Sequence, residues 1–227
     1  MKNNLIRSFV LGSGLLLGMT SGFANTVTFD FTTKWATGTT LGSVVTFSSA
    51  GQTLTTSGFW VPSTTHPAVA GVDATQQLYG KHSGTNENGL GLAIADPADH
   101  EIESTDFVQL DLNALMLAGY KNFTITLGSL QNGEGGKIVL TNSAGTMTAA
   151  TLGTTLLGTS SSSSLTQSWA FTDTTKRYVD ITGTGVTGGD VILATVTATT
   201  VPDGGSTAIL LGAGVLCFGF FQRRRLS

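Results

Sequence analysis

Short runs in which every second residue is apolar set the strongest limit on how this chain can fold. Val27, Phe29 and Phe31 alternate with Thr26, Thr28, Asp30 and Thr32, and Phe123, Ile125 and Leu127 alternate with Thr124 and Thr126. A period of two places one set of side chains on one face of a strand and the other set on the opposite face, so each run reads as a half-buried β-strand. Further β-rich stretches fall at Val44–Phe47, Phe107–Leu112, Lys137–Thr141, Ser168–Phe171, Tyr178–Ile181 and Val191–Thr197. Between them lie Asn132-Gly133-Glu134-Gly135-Gly136, Asn142-Ser143-Ala144-Gly145 and Gly183-Thr184-Gly185, and such glycine pairs admit the positive φ angles of tight hairpins. Many short strands with turn signals at this spacing predict an all-β fold, an antiparallel, jelly-roll-like β-sandwich. Threonine suits the design: its branched Cβ fits a pleated surface and its hydroxyl keeps the outer face soluble.

Two segments break the pattern. Leu112–Gly119 carries good helix formers and closes on glycine, which predicts one short helical turn. Ser160–Ser164 is a serine run that reads as a loop.

The ends follow different rules from the middle. Lys2 and Arg7, the apolar stretch Phe9–Met19 and the small residues before Asn25 form a secretory signal peptide over 1–24, with cleavage between Ala24 and Asn25. At the other end an apolar helix is expected at about 206–221, stopped by Arg223, Arg224 and Arg225. Its sixteen residues would span about 24 Å, short of the ~30 Å bilayer core, which suits a transient sorting segment as well as an anchor. The arginines are expected to stay cytoplasmic and the body to lie outside the inner membrane. The β-sandwich domain is therefore placed at 25–200, with 201–227 as a separate targeting segment.

Removing the ends changes the charge. The whole chain carries −3, yet Asn25–Gly205 holds six basic residues against all fourteen acidic ones, leaving −8. Without a basic patch, nucleic acid is excluded as a partner. Cys217 is the one cysteine and lies in the C-terminal apolar run, so the exported body has no disulfide.

Candidate chemistry is sparse. Seven carboxylates and no basic residue fall between Lys81 and Lys121, and Asp96, Asp99, Glu101 and Asp106 are the candidate ligands for a calcium ion, set against a simple solvated acidic face. His66, His82 and His100 show no metal-ligand spacing, and neither a nucleophile elbow nor a phosphate loop is present. The reading is non-enzymatic, with a secreted carbohydrate-active enzyme as the alternative. Most aromatics belong to the core. Trp60, beside Phe59 on a strand and followed by Val61-Pro62, is the candidate surface contact for a sugar ring.

Val201-Pro202-Asp203-Gly204-Gly205-Ser206-Thr207, the apolar run and the terminal arginines together resemble the PEP-CTERM class of sorting signals, in the variant opening Val-Pro-Asp. Asp203 stands where the usual form has Glu, and Gly204 replaces its second proline. The resemblance implies export through the Sec translocon and handling by an exosortase, a membrane protease-transpeptidase that recognises Pro202 and Asp203. The body is similar, more loosely, to β-sandwich passengers found with this signal in bacteria that make exopolysaccharide. It implies a structural or adhesive protein of the cell surface or biofilm matrix, associated with polysaccharide. A permanently anchored protein facing the periplasm is the other alternative.

Overall fold

The computed structural model describes residues 24–69, 71–83, 87–93, 99–130, 133–147, 155–157, 166–184 and 190–201. Asn25–Thr200 forms one compact unit, and the two ends fall outside it. The signal peptide up to residue 23, the C-terminal helix, the arginine cluster and the serine run lie outside the described residues, as does Asp96. Among the described residues no helix is long and apolar enough to cross a membrane.

The strands are β1 (Thr26–Asp30), β2 (Thr39–Thr40), β3 (Val44–Ser49), β4 (Gln52–Trp60), β5 (Thr75–Gln76), β6 (Leu78–Ser83), β7 (Glu87–Leu92), β8 (Asp106–Asp111), β9 (Tyr120–Gly128), β10 (Gly135–Thr141), β11 (Thr155–Leu157), β12 (Gln167–Phe171), β13 (Tyr178–Thr184) and β14 (Ile192–Thr200). The helical turn expected before Gly119 is α1 (Asn113–Leu117), with Gly119 at φ 89° where a side chain would be strained.

Two antiparallel sheets divide these strands. Sheet I runs β12-β9-β14-β7-β6-β2 with β1 on β14, and sheet II runs β11-β10-β13-β8-β4-β3 with β5 on β4. From β7 to β14 the chain crosses between sheets at every connection except β10 to β11. Gly133, with φ 91°, therefore lies on the crossing from β9 of sheet I to β10 of sheet II and not in the hairpin that the glycine-rich composition suggests. A tight hairpin falls instead at Ala50-Gly51, where Ser49 pairs with Gln52 and both loop residues have positive φ (47° and 76°).

Alternation decides which side chains face inward. Phe123, Ile125 and Leu127 of β9, Val196 and Ala198 of β14 and Val27 and Phe29 of β1 join Leu54, Val108, Leu110, Val179 and Ile181 of sheet II in one buried cluster. Each Val, Leu, Ile or Phe side chain so removed from water contributes about 1.5–3 kcal/mol before entropy is counted. The threonines occupy the other face of sheet I and pair across strands. Thr26 meets Thr199 at 3.1 Å, Thr28 meets Thr197 at 3.2 Å, and Thr126 meets Ser168 at 2.8 Å, all between hydroxyls. The ends of the body also meet: the Asn25 amide donates to the Thr200 hydroxyl at 2.8 Å, and the Thr200 amide donates to the Asn25 carbonyl.

Candidate functional site

Trp60 sits at the end of β4, where its neighbour Phe59 turns to the opposite face and stacks on Phe107 with ring centres 5.2 Å apart. Trp60 itself stays half-buried. The turn Ser63–His66 folds back on it: the Ser63 amide donates to the His66 carbonyl, and the His66 amide donates to the Ser63 hydroxyl. The His66 ring consequently lies flat against the Trp60 indole, with centres 4.0 Å apart and planes 2° from parallel. Together with Val61, Pro62, Thr105 and Ser104 the pair lines an open cleft of about 350 Å³. The His66 ring covers one face of the indole, and the hydroxyls of Ser63, Thr65, Ser104 and Thr105 lie along the cleft.

A second cleft, about 250 Å³, lies on the outer face of sheet II between Thr55, Ser57, Gln109, Asp111 and Tyr178. Arg177 closes one end with a two-pronged pair, Nε to Asp111 Oδ1 at 3.0 Å and Nη2 to Oδ2 at 2.6 Å, and its guanidinium lies 4.8 Å from the centre of the Tyr178 ring. Below the cleft Asp180 is fully buried. Its Oδ1 accepts a hydrogen bond from Gln109 Nε2 at 2.7 Å, while Oδ2 has no partner among the described residues. Burial, opposed by the Gln109 bond and assisted by the charge of Asp73, pushes Asp180 up to about 7.

The acidic stretch divides. Asp99 and Glu101 converge on the ammonium of Lys81, each accepting from Nζ at 2.5 Å, and Glu87 lies 3.6 Å from the same nitrogen. The strap carrying Asp99 and Glu101 crosses the outer face of the β6–β7 hairpin. His100 in this strap has φ 58° and stacks on Tyr79, with ring centres 3.8 Å apart. Only glycine fits beneath it at position 91, because a Cβ there would run into the His100 carbonyl oxygen. Asp106 is elsewhere: fully buried, it accepts a hydrogen bond from the Glu103 amide at 2.9 Å, and burial pushes it up to about 8. Two of the four expected calcium ligands thus meet at a lysine, the third is apart from them, and no group of three or more His, Cys, Asp or Glu among the described residues is arranged to hold a metal ion. No local spacing marks the partners of Lys81, His66, Gln109 and Asp180: Lys81 meets Asp99 across 18 positions, Gln109 meets Asp180 across 71, and His66 meets Trp60 only through the fold of a turn.

Comparison with known proteins adds one result at the tail. Residues 200–225 match the VPDSG-CTERM motif, a PEP-CTERM-like sorting signal. The chain reads Val-Pro-Asp-Gly-Gly, with Gly204 at the serine position of the motif's name. The signal is that of an exported protein processed by an exosortase-like membrane enzyme. Of its residues only Thr200, the last of β14, and Val201 lie among those described. No curated protein matches the chain.

Proposed function

We propose that the chain is exported through the Sec translocon, sorted by an exosortase-like system, and delivered as a non-enzymatic surface or matrix component that holds polysaccharide. The sorting signal at 200–225, starting at the last strand residue of a β-rich body, is the observation that carries this reading. Pro202 and Asp203 are the recognition residues and Arg223–Arg225 the cytoplasmic stop. The sugar-binding element is the cleft of Trp60 and His66, whose indole is half-buried and whose rim carries Ser63, Thr65 and Thr105. The non-enzymatic reading draws on the three carboxyl groups that, among the described residues, burial pushes furthest from their ordinary range. Glu101, Asp106 and Asp180 are each at most 3% exposed, out of reach of a polymer chain.

The test compares the mature protein from native cells with its Trp60→Ala variant on immobilised exopolysaccharide from the same cells. Wild type is expected to lack the arginine tail by mass and to be retained, and Trp60→Ala to elute at least tenfold more readily. A full-length tail would remove the sorting reading. Unchanged retention of a folded Trp60→Ala protein would remove the cleft.

A further inference from the structure

Three carboxylates surround one buried ammonium. Lys81 is 6% exposed and Glu101 3%, and Nζ lies 2.5 Å from oxygens of both Glu101 and Asp99, with Glu87 at 3.6 Å. Lys81 and Glu101 are both shut away from water, so a proton exchanged between them stays within the pair, and Glu101 is placed to receive it. Burial, partly offset by Lys81, pushes its carboxyl up to about 7, and Ser129 Oγ donates to Oε1 at 2.7 Å and fixes its orientation. Ser129 takes the left-handed backbone (φ 61°) in doing so. Burial alone would lower Lys81, but Glu101 and Asp99 outweigh it and hold the ammonium above its ordinary range. Proton transfer inside the pair, from Nζ to Glu101, leaves the net charge unchanged and needs no free amine in solution.

An amine, a carboxyl carbon bonded to an oxygen within 2.5 Å of it, and a second acid touching the same nitrogen are the components of amide formation. We propose that Lys81 and Asp99 form an intramolecular amide cross-link, with Glu101 as the proton shuttle. Glu101 takes one proton from Nζ and passes it to Asp99, leaving a neutral amine beside a neutral carboxyl. Nζ then attacks Cγ of Asp99, and a bond forms between Nζ and Cγ. Glu101 carries a second proton from Nζ to the Asp99 hydroxyl, whose bond to Cγ breaks as it leaves as water. Ammonium plus carboxylate becomes amide plus water, without oxidant or cofactor. The side chain of Asp99 is 40% exposed, which gives the departing water a route out, whereas Glu101 is sealed in. The bond would fasten the strap to β6 across eighteen positions of sequence. A body without cysteine would thereby gain a covalent tie that needs no oxidising compartment.

Digestion of the exported full-length protein with a protease cutting after glutamate tests this, because cleavage at Glu87 separates Lys81 from Asp99 unless they are linked. The expected product is a joined pair of peptides, one water lighter than their sum, whose fragments place the bond between Lys81 and Asp99. Lys81→Arg and Asp99→Ala are expected to release two separate peptides, and Glu101→Gln to show the link at least tenfold less. Separate, full-mass peptides from wild type would overturn the proposal, whatever the variants do. A bond mapped to Glu101 in place of Asp99, or a link surviving Asp99→Ala, would overturn it too.

Discussion

Replacing Asp180 with asparagine isolates the cost of one buried carboxyl. Among the described residues its ionised form has one donor, Gln109 Nε2, and the charge of another acid, Asp73, acts against it. Burial lifts the group from its ordinary 3.8 to about 7. Between these values the folded state keeps a proton that the unfolded state has lost, so the folded state binds more protons and wild-type stability falls as pH rises. The fall starts near pH 4 and levels off above pH 7. About three pKa units, each worth about 1.4 kcal/mol, make the loss about 4 kcal/mol at most. Asparagine can still accept from Gln109 but cannot ionise. Relative to wild type, Asp180→Asn is therefore expected to gain stability progressively from pH 4 to pH 8, approaching this figure at the alkaline end. Urea unfolding midpoints of both proteins at pH 4, 5.5 and 8 measure it, since Glu101 and Asp106 titrate equally in both and cancel in the difference. A difference that stays constant across the three pH values would refute the reasoning.

Two further substitutions probe the backbone. Gly91→Ala places a Cβ against the His100 carbonyl oxygen, where only backbone movement makes room, and is expected to lower stability by about 1–3 kcal/mol in thermal unfolding; an unchanged melting point would mean the strap is not seated on β7. Ala50→Asn puts a residue tolerant of positive φ at the first position of the β3–β4 turn, and is expected to raise the unfolding free energy by a few tenths to about 1 kcal/mol in urea titration.

Much of the fold is legible along the chain, because burial on one face of a strand imposes a period of two that any short window reveals. Phe123–Leu127 and Val27–Phe31 show it directly, and their inward residues are the core. Turn chemistry is less legible. Glycine at Gly133 permits positive φ, but composition does not say whether the chain then returns within a sheet or crosses to the other, as it does between β9 and β10. Trp60 was visible as an aromatic at a strand end, whereas the histidine that stacks on it was not. His66 is placed by the fold of the Ser63–His66 turn, and no residue pattern announces such a stack.

The sequence by itself determined the strand character of the body, the buried side of the alternating strands at Val27–Phe31 and Phe123–Leu127, and the sorting signal at its C-terminal end. These depend on neighbours in the chain: alternation for the strands, and a linear order of breaker, apolar run and basic cluster for the signal. The tertiary structure decided the partners. It set β1 beside β14, brought Lys81 into contact with Asp99 and Glu101, and sealed Asp180 beneath Gln109. Strand edges and charged side chains can pair in many ways at similar local energy. Which pairing forms is fixed only when both sheets bury their apolar faces against each other at once, a condition that no single segment contains.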